Sequence, residues 1–124
     1  MPDPNLVPKL IERLISLTNE GKIEWGETAS EDDFQATVGQ YVVTASRSRN
    51  AQNWDAWDYK IRVADRKGTL VDEAMDIDFD ANSRIAGQLP YKAFFLLYEG
   101  ARRSARNVDK ALTDLLASLD SLKS

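Results

Sequence analysis

The sequence contains neither cysteine nor histidine among its 124 residues. The absence of cysteine excludes disulfides, thiolate catalysis and metal sites built on cysteine. The absence of histidine removes the side chain best suited to proton transfer near neutral pH and the commonest ligand of zinc, copper and nickel. Any metal would therefore be held by oxygen atoms, which favours calcium, magnesium or manganese.

Other signs of chemistry are also missing from the sequence. The six glycines are scattered, so no glycine-rich loop is available to cradle a phosphate. The serines have no histidine base, and no Ser–Lys arrangement stands out. We therefore expect no catalytic residues, no cofactor and no enzymatic activity.

Charge and hydropathy limit the location and the partners of the protein. No apolar run approaches the roughly 18 residues of a membrane span, and the first residues lack the basic start and apolar run of a signal peptide. We expect a cytoplasmic protein without a membrane partner. The net charge of −4 disfavours nucleic acid as a partner. The length fits a single domain over 1–124, with flexible ends at 1–4 and 123–124.

The spacing of apolar residues predicts an α+β fold. A stripe at helical spacing predicts a first helix over 5–19, which Gly21 closes. Alternating segments then predict an antiparallel meander of four or five strands, with a Gly-Gln hairpin at 39–40. They include a strand over 57–65 and a last strand over 69–79, in which Val71, Met75, Ile77 and Phe79 face inward. A long C-terminal helix follows, and both helices are expected to cover one face of the sheet.

The stretch MDIDFDANSR places Asp76, Asp78 and Asp80 at every second position, as a calcium loop spaces its oxygen ligands. Such a loop also needs glycine at its sixth position and glutamate at its twelfth, where this sequence has Ala81 and Gly87. Alternating acids are equally typical of a half-buried strand with a solvated acidic face. We favour the strand and predict no metal site, with the three aspartates as weak candidates.

Basic and aromatic side chains are combined in the loop SRSRNAQNWDAW and in the strand after it. They are Arg47, Arg49, Trp54, Trp57, Lys60 and Arg62. Cations and rings are what single-stranded nucleic acid requires, while tryptophan and arginine are also typical of protein interfaces. Alternatively, the tryptophans pack on the core and the basic residues pair with acids on the neighbouring strand. A protein-binding hairpin is favoured over nucleic acid.

Three arginines, Arg102, Arg103 and Arg106, lie close together on the predicted C-terminal helix. Such a group can bind a phosphate or an acidic partner. We favour a solvated helix face on which Glu99 pairs with Arg103, four residues later.

Apolar residues step by four and three through the whole C-terminal segment, which predicts one helix that only Gly100 would kink or divide. The first helix is too short to cover the far end of this stripe. It consists of Val108, Leu112, Leu115, Leu119 and Leu122. Exposed apolar surface of this extent usually marks an interface, so we predict a homodimer through this helix. The alternative is that the helix lies wholly on its own sheet.

Two short motifs give the chain a resemblance to a group of small bacterial α+β domains without an assigned function. One has the form LTxxGKIxW and the other LYxxARR. The matching residues are Leu17, Thr18, Gly21, Lys22, Ile23, Trp25, Leu97, Tyr98, Ala101, Arg102 and Arg103. The resemblance implies a bacterial origin and a helix–meander–helix layout, and it supplies no catalytic residues.

Three functions are compatible with these observations. The first is a non-catalytic protein-interaction or regulatory module, dimeric through its last helix. The second is an immunity- or antitoxin-like protein that neutralises a basic effector with its acids at 31–33 and 72–80. The third is an oxygen-ligand metal enzyme that uses Asp76, Asp78 and Asp80. We favour the first.

Overall fold

A computed structural model describes residues 5–50, 52–53 and 55–123, which form three α-helices and a five-stranded antiparallel sheet. The predicted α+β class is confirmed. The elements in chain order are α1 (Leu6–Asn19), β1 (Gly26–Glu27), β2 (Asp33–Val38), β3 (Tyr41–Arg49), β4 (Trp57–Asp65), β5 (Leu70–Met75), a 3-10 turn (Asp76–Asp78), α2 (Pro90–Ala105) and α3 (Val108–Ser121). The flexibility expected for 1–4 concerns positions outside the described residues.

The sheet is a simple meander in which each strand pairs with the next along the chain. The predicted Gly-Gln hairpin is confirmed, since Val38 pairs with Tyr41 and Gly39 has a φ of +61°. At the turn between β4 and β5, the carboxylate of Asp65 accepts the backbone N–H groups of Lys67 and Thr69, both at 2.9 Å. Short local turns therefore determine the order of the strands.

α1 and α2 pack on one face of this sheet, and no helix of the described residues packs on the other, which we call the bare face. The buried core combines residues of α1 and α2 with inward-facing residues of the strands. Its largest fully buried side chains are Ile11, Phe34, Ile85, Leu97 and Tyr98. The two helices approach closely at Gly100, where an added Cβ would lie 3.1 Å from Cγ2 of Thr18. Glycine at this position allows the helices to touch.

The C-terminal segment is helical as predicted but is divided into two helices, and the division does not lie at Gly100, where the sequence allowed one. α2 runs through Gly100 without interruption, and the break comes at Arg106 and Asn107. Asn107 has a φ of +49°, a left-handed conformation that asparagine tolerates better than most residues. The spacing of apolar residues by four and three continues across this break. Such a spacing indicates which side of a helix is apolar, and it does not indicate where the backbone turns.

The predicted strand over 69–79 is too long, and its inward side was assigned to the wrong residues. β5 ends at Met75, and Ala74 is the buried residue opposite Ile61. Val71 and Ile77, which were expected to face inward, are 57% and 65% exposed. The β4–β5 pairing is regular over 72–75, so Met75, opposite Lys60, also lies on the outward side, and the register shift at Val63 comes before this segment on β5.

Where β5 ends, the side chain of Asp76 replaces the strand backbone as the hydrogen-bond acceptor for β4. Its carboxylate accepts the backbone N–H of Tyr59 at 3.2 Å, and its side chain is buried. It therefore does not lie on a solvated acidic face, as the sequence pattern suggested. Burial raises the pKa of Asp76 above its usual value of 3.8, and the nearby Asp58 acts in the same direction.

We expect Asp76→Ala to lower the free energy of unfolding by about 1 kcal/mol, because the buried amide of Tyr59 loses its acceptor while the cost of a buried charge disappears. Asp76→Asn keeps an acceptor and removes the charge, so it should be at least as stable as the parent protein at pH 7. Urea unfolding followed by circular dichroism measures both values.

The pH dependence gives an independent check of the same residue. Because folding raises the pKa of Asp76, its contribution to stability is present below pH 3.8 and is lost as the pH rises through the folded-state pKa. The parent protein should therefore gain stability relative to Asp76→Asn on acidification. Equal stability differences at pH 7 and at acidic pH would contradict this account.

Candidate protein-protein interface

α3 presents an apolar stripe to solvent. None of its 14 residues, all of which the structure describes, is buried. Four leucines of α3 and a fifth directly after the helix are between 48% and 81% exposed. They are Leu112, Leu115, Leu116, Leu119 and Leu122. Helical spacing brings four of them onto the side that the sequence predicted as the dimer surface, with Leu116 at its margin. Val108, at the first turn, is half-buried.

The rest of α3 is polar and internally paired. Lys110 forms an ion pair with Asp114, one turn later, at 2.9 Å. The hydroxyls of Thr113 and Ser118 donate to backbone carbonyls of the preceding turn. α3 therefore has one polar side and one apolar side, as expected for a helix that packs against another surface.

The direction of α3 is set at its junction with α2. Asn107 turns the backbone, and its N–H donates to the carbonyl of Ser104 at 3.2 Å. The guanidinium of Arg103, in the last turn of α2, pairs with Asp109 in the first turn of α3. These contacts hold the start of α3 while its leucines point to solvent.

A second apolar surface, which the sequence analysis missed, is a trough along α1. One hollow of about 190 Å³ is lined by residues that include Leu6, Leu10 and Val71. A larger hollow is lined by residues that include Leu10, Leu17 and Val38, with the charged Arg13 and Lys22 beside them. Leu10 lines both hollows, so they adjoin each other between α1 and the sheet, and the two together are called the trough. The spacing of Leu6, Leu10 and Leu17, beside the buried stripe of α1, was the available signal.

The sheet separates the basic and aromatic residues that were predicted to form one interaction surface. Arg47 and Arg49 lie over the ring of Trp57 at 4.1 and 4.0 Å from its centroid, on the side of the helices. Lys60 and Arg62 have the opposite parity and lie on the bare face. Trp54 lies outside the described residues.

Contacts within the chain already engage several of these cations. Arg47 donates to Asp32 through Nε at 3.0 Å and also lies over the ring of Tyr98. Arg62 lies 3.4 Å from the carboxylate of Glu73, its partner on β5. A surface of free cations beside exposed rings, as nucleic acid would require, is therefore not assembled among the described members of this group.

The three arginines at the end of α2 are also paired. Arg102 binds Glu99 at 3.0 Å, three residues earlier, so the predicted pairing of Glu99 with Arg103 is wrong. Arg103 pairs instead with Asp109, across the turn into α3. Arg106 pairs with Glu27 at 3.2 Å and donates to the carbonyl of Glu31. These arginines connect elements of the fold.

The acids of the 75–84 stretch bind backbone amides. Asp78 accepts the N–H of Met75, and Asp80 accepts that of Asn82, both at 2.8 Å. With Asp76 directed at Tyr59, the three carboxylates serve three different amides. Within the described ranges, no group of three or more acidic side chains could hold a metal ion.

Burial changes the chemistry of two tyrosines near the centre of the fold. Burial, together with the neighbouring phenol of Tyr91, raises the pKa of Tyr59 to about 12. Burial also raises the pKa of Tyr98, whose hydroxyl has no hydrogen-bond partner among the described atoms. Both side chains are almost fully buried and belong to the packed core.

Comparison of the chain with protein-family models, with curated proteins and with solved structures finds no match. The resemblance to small bacterial domains therefore stays a prediction. No helix in the described part of the chain is long and apolar enough to cross a membrane.

Proposed function

We propose that this protein is a non-catalytic protein-interaction module that forms a homodimer through α3. The observation that carries the proposal is the stripe of leucines on α3, each about half exposed or more. The stripe leaves on the order of 500 Å² of apolar surface in water, a size that usually marks an interaction site.

The attachment of α3 supports the same proposal, because the Arg103–Asp109 pair and the turn at Asn107 join α3 to α2 without covering its leucines. The acids of the alternative immunity-like function are less suited to one binding surface, because Asp32 and Glu73 are ion-paired and Asp76 is buried.

Sedimentation equilibrium of the full chain tests this proposal. We expect a species of twice the monomer mass of 13.9 kDa at high protein concentration. The double variant Leu115→Glu/Leu119→Glu should raise the dimer Kd about a hundredfold or more, because it places charges where apolar side chains would be buried.

Ala117→Glu is the matched control, since it adds the same side chain on the opposite side of α3. It should dimerise like the parent protein. A parent protein that stays monomeric at millimolar concentration would refute the proposal, and so would a leucine double variant that dimerises normally.

A further inference from the structure

We infer that the trough along α1 is the docking site for α3 of a second copy, so that the two subunits exchange their C-terminal helices. This inference rests on the proposed dimer and assigns it an acceptor surface. The apolar lining of the trough consists of side chains from α1 and the sheet, and charged residues that include Arg13 and Asp72 lie among them. The exposed apolar members are Leu6, Leu17, Val38 and Val71, and Leu10 is half-buried.

The trough and the stripe match in length. Leu6 and Leu17 are eleven residues apart on α1, which corresponds to about 16 Å along the helix axis. Leu112 and Leu122 are ten residues apart, which corresponds to about 15 Å. A helix placed in the trough would lie alongside α1, in contact with its second apolar stripe.

The exchange covers more exposed apolar surface than direct pairing of the two α3 helices does. Pairing only the stripes would bury on the order of 1,000 Å² of apolar area and would leave the trough of each subunit in water. The apolar side chains of the trough are partly exposed, and they add on the order of 350 Å² per subunit. With both surfaces covered in both subunits, the buried apolar area rises to roughly 1,700 Å², which is ample for a stable homodimer.

Helix length and symmetry lead to the same arrangement. With 14 residues, α3 spans two heptads, whereas a self-sufficient coiled coil usually needs three or more. In the exchanged dimer each subunit gives one helix and receives one, so the interface closes on itself with twofold symmetry. No apolar surface of either kind is then left to recruit a third copy.

Variants of the trough test the inference separately from the dimer itself. Leu6 and Val71 are both more than half exposed, so Leu6→Glu/Val71→Glu should fold, as circular dichroism can verify. We expect this double variant to raise the dimer Kd at least tenfold in sedimentation equilibrium. Ser16→Glu adds a charge to the solvent side of α1 and should leave the Kd unchanged.

The position of the docked helix can be read directly, because the chain has no cysteine of its own. Ser118→Cys with a nitroxide label, mixed with unlabelled ¹⁵N protein, places a paramagnetic probe on α3 of one subunit. We expect broadening of the α1 amides between Leu6 and Leu17 in the other subunit.

Each outcome separates the two proposals. A trough variant that dimerises like the parent protein, or broadening confined to the amides of α3, would overturn the exchange and leave dimerisation through α3 intact. A parent protein that is monomeric under all conditions would remove the proposed function and the exchange together.

Discussion

Replacing Trp25 with alanine should lower the free energy of unfolding by about 3–5 kcal/mol, the usual cost of removing a large buried aromatic side chain. Trp25 is only 5% exposed. Its indole N–H donates to the Thr18 hydroxyl at 3.0 Å, and its backbone N–H donates to the Ser104 hydroxyl at 3.2 Å. Trp25 therefore contacts the C-terminal end of α1 through its side chain and the last turn of α2 through its backbone, and only the first of these two bonds is lost in the alanine variant.

Two further variants divide this effect into packing and hydrogen bonding. Trp25→Phe keeps most of the apolar volume and should cost about half as much or less, while Thr18→Val leaves the indole N–H unpaired and should cost about 1–3 kcal/mol. Trp57→Ala is the matched control, because Trp57 is half-buried and stacks mainly on two arginines. Urea midpoints that fall equally for Trp57→Ala and Trp25→Ala would contradict this assignment.

A rise in pH from 10 to 12 should destabilise the protein by about 2 kcal/mol through Tyr59 alone. The folded-state pKa of Tyr59 is about 12, against an ordinary value of 10.0. Between these values the unfolded chain loses the phenolic proton while the folded protein keeps it. The contribution of Tyr59 is therefore fully present below pH 10 and is lost as the pH rises through 12, and the raised pKa of Tyr98 acts in the same direction.

The measurement is urea unfolding at several alkaline pH values, with the absorbance of tyrosinate recorded on the same samples. Tyr59→Phe cannot ionise at this position, so its stability should fall less steeply than that of the parent protein above pH 10. Its stability at neutral pH serves as the reference for any change in packing. Parallel curves for the two proteins would show that Tyr59 does not cause the alkaline loss.

The dimer proposal affects how both stability experiments are run. If folding and association are linked, the apparent stability increases with protein concentration. The comparisons should therefore be made in the Leu115→Glu/Leu119→Glu background, in which association through α3 is expected to be absent. An unfolding midpoint of the parent protein that shifts with concentration would be further support for the dimer.

The motif residues that carry the resemblance to small bacterial domains have mainly structural roles in this fold. Gly21 has a φ of +73° and ends α1, and the N–H of Lys22 donates to the carbonyl of Leu17. Thr18 and Trp25 hydrogen-bond to each other. The motif near the end of α2 contributes the buried residues Leu97, Tyr98 and Ala101, and its arginines form the pairs with Glu99 and Asp109. These roles account for the residue types without any catalytic function.

Local periodicity was sufficient for most of the secondary structure. The helix pattern of α1 and the alternation in β4 each depend on contacts between near neighbours in sequence, and both elements were predicted nearly to their ends. The β5 segment failed because its buried residue is the small Ala74, which was given too little weight beside the exposed Val71 and Ile77. Alternation alone does not reveal a register shift, since such a shift depends on the partner strand.

The candidate interface was predicted in part. The leucines of α3 were visible as a stripe, because helical spacing alone places them on one side. The acceptor trough was not recognised, because it combines one stripe of α1 with side chains from β2 and β5, and only packing brings these together.

The sequence by itself determined the α+β class, the hairpin at Gly39 and the amphipathic character of the C-terminal leucines, because each follows from residues a few positions apart. Tertiary structure alone decided that the chain turns at Asn107, that the sheet divides the basic residues between its two faces, and that an apolar trough stays open along α1. These properties depend on backbone direction and on contacts between distant segments. A pattern of residue types does not specify either of them.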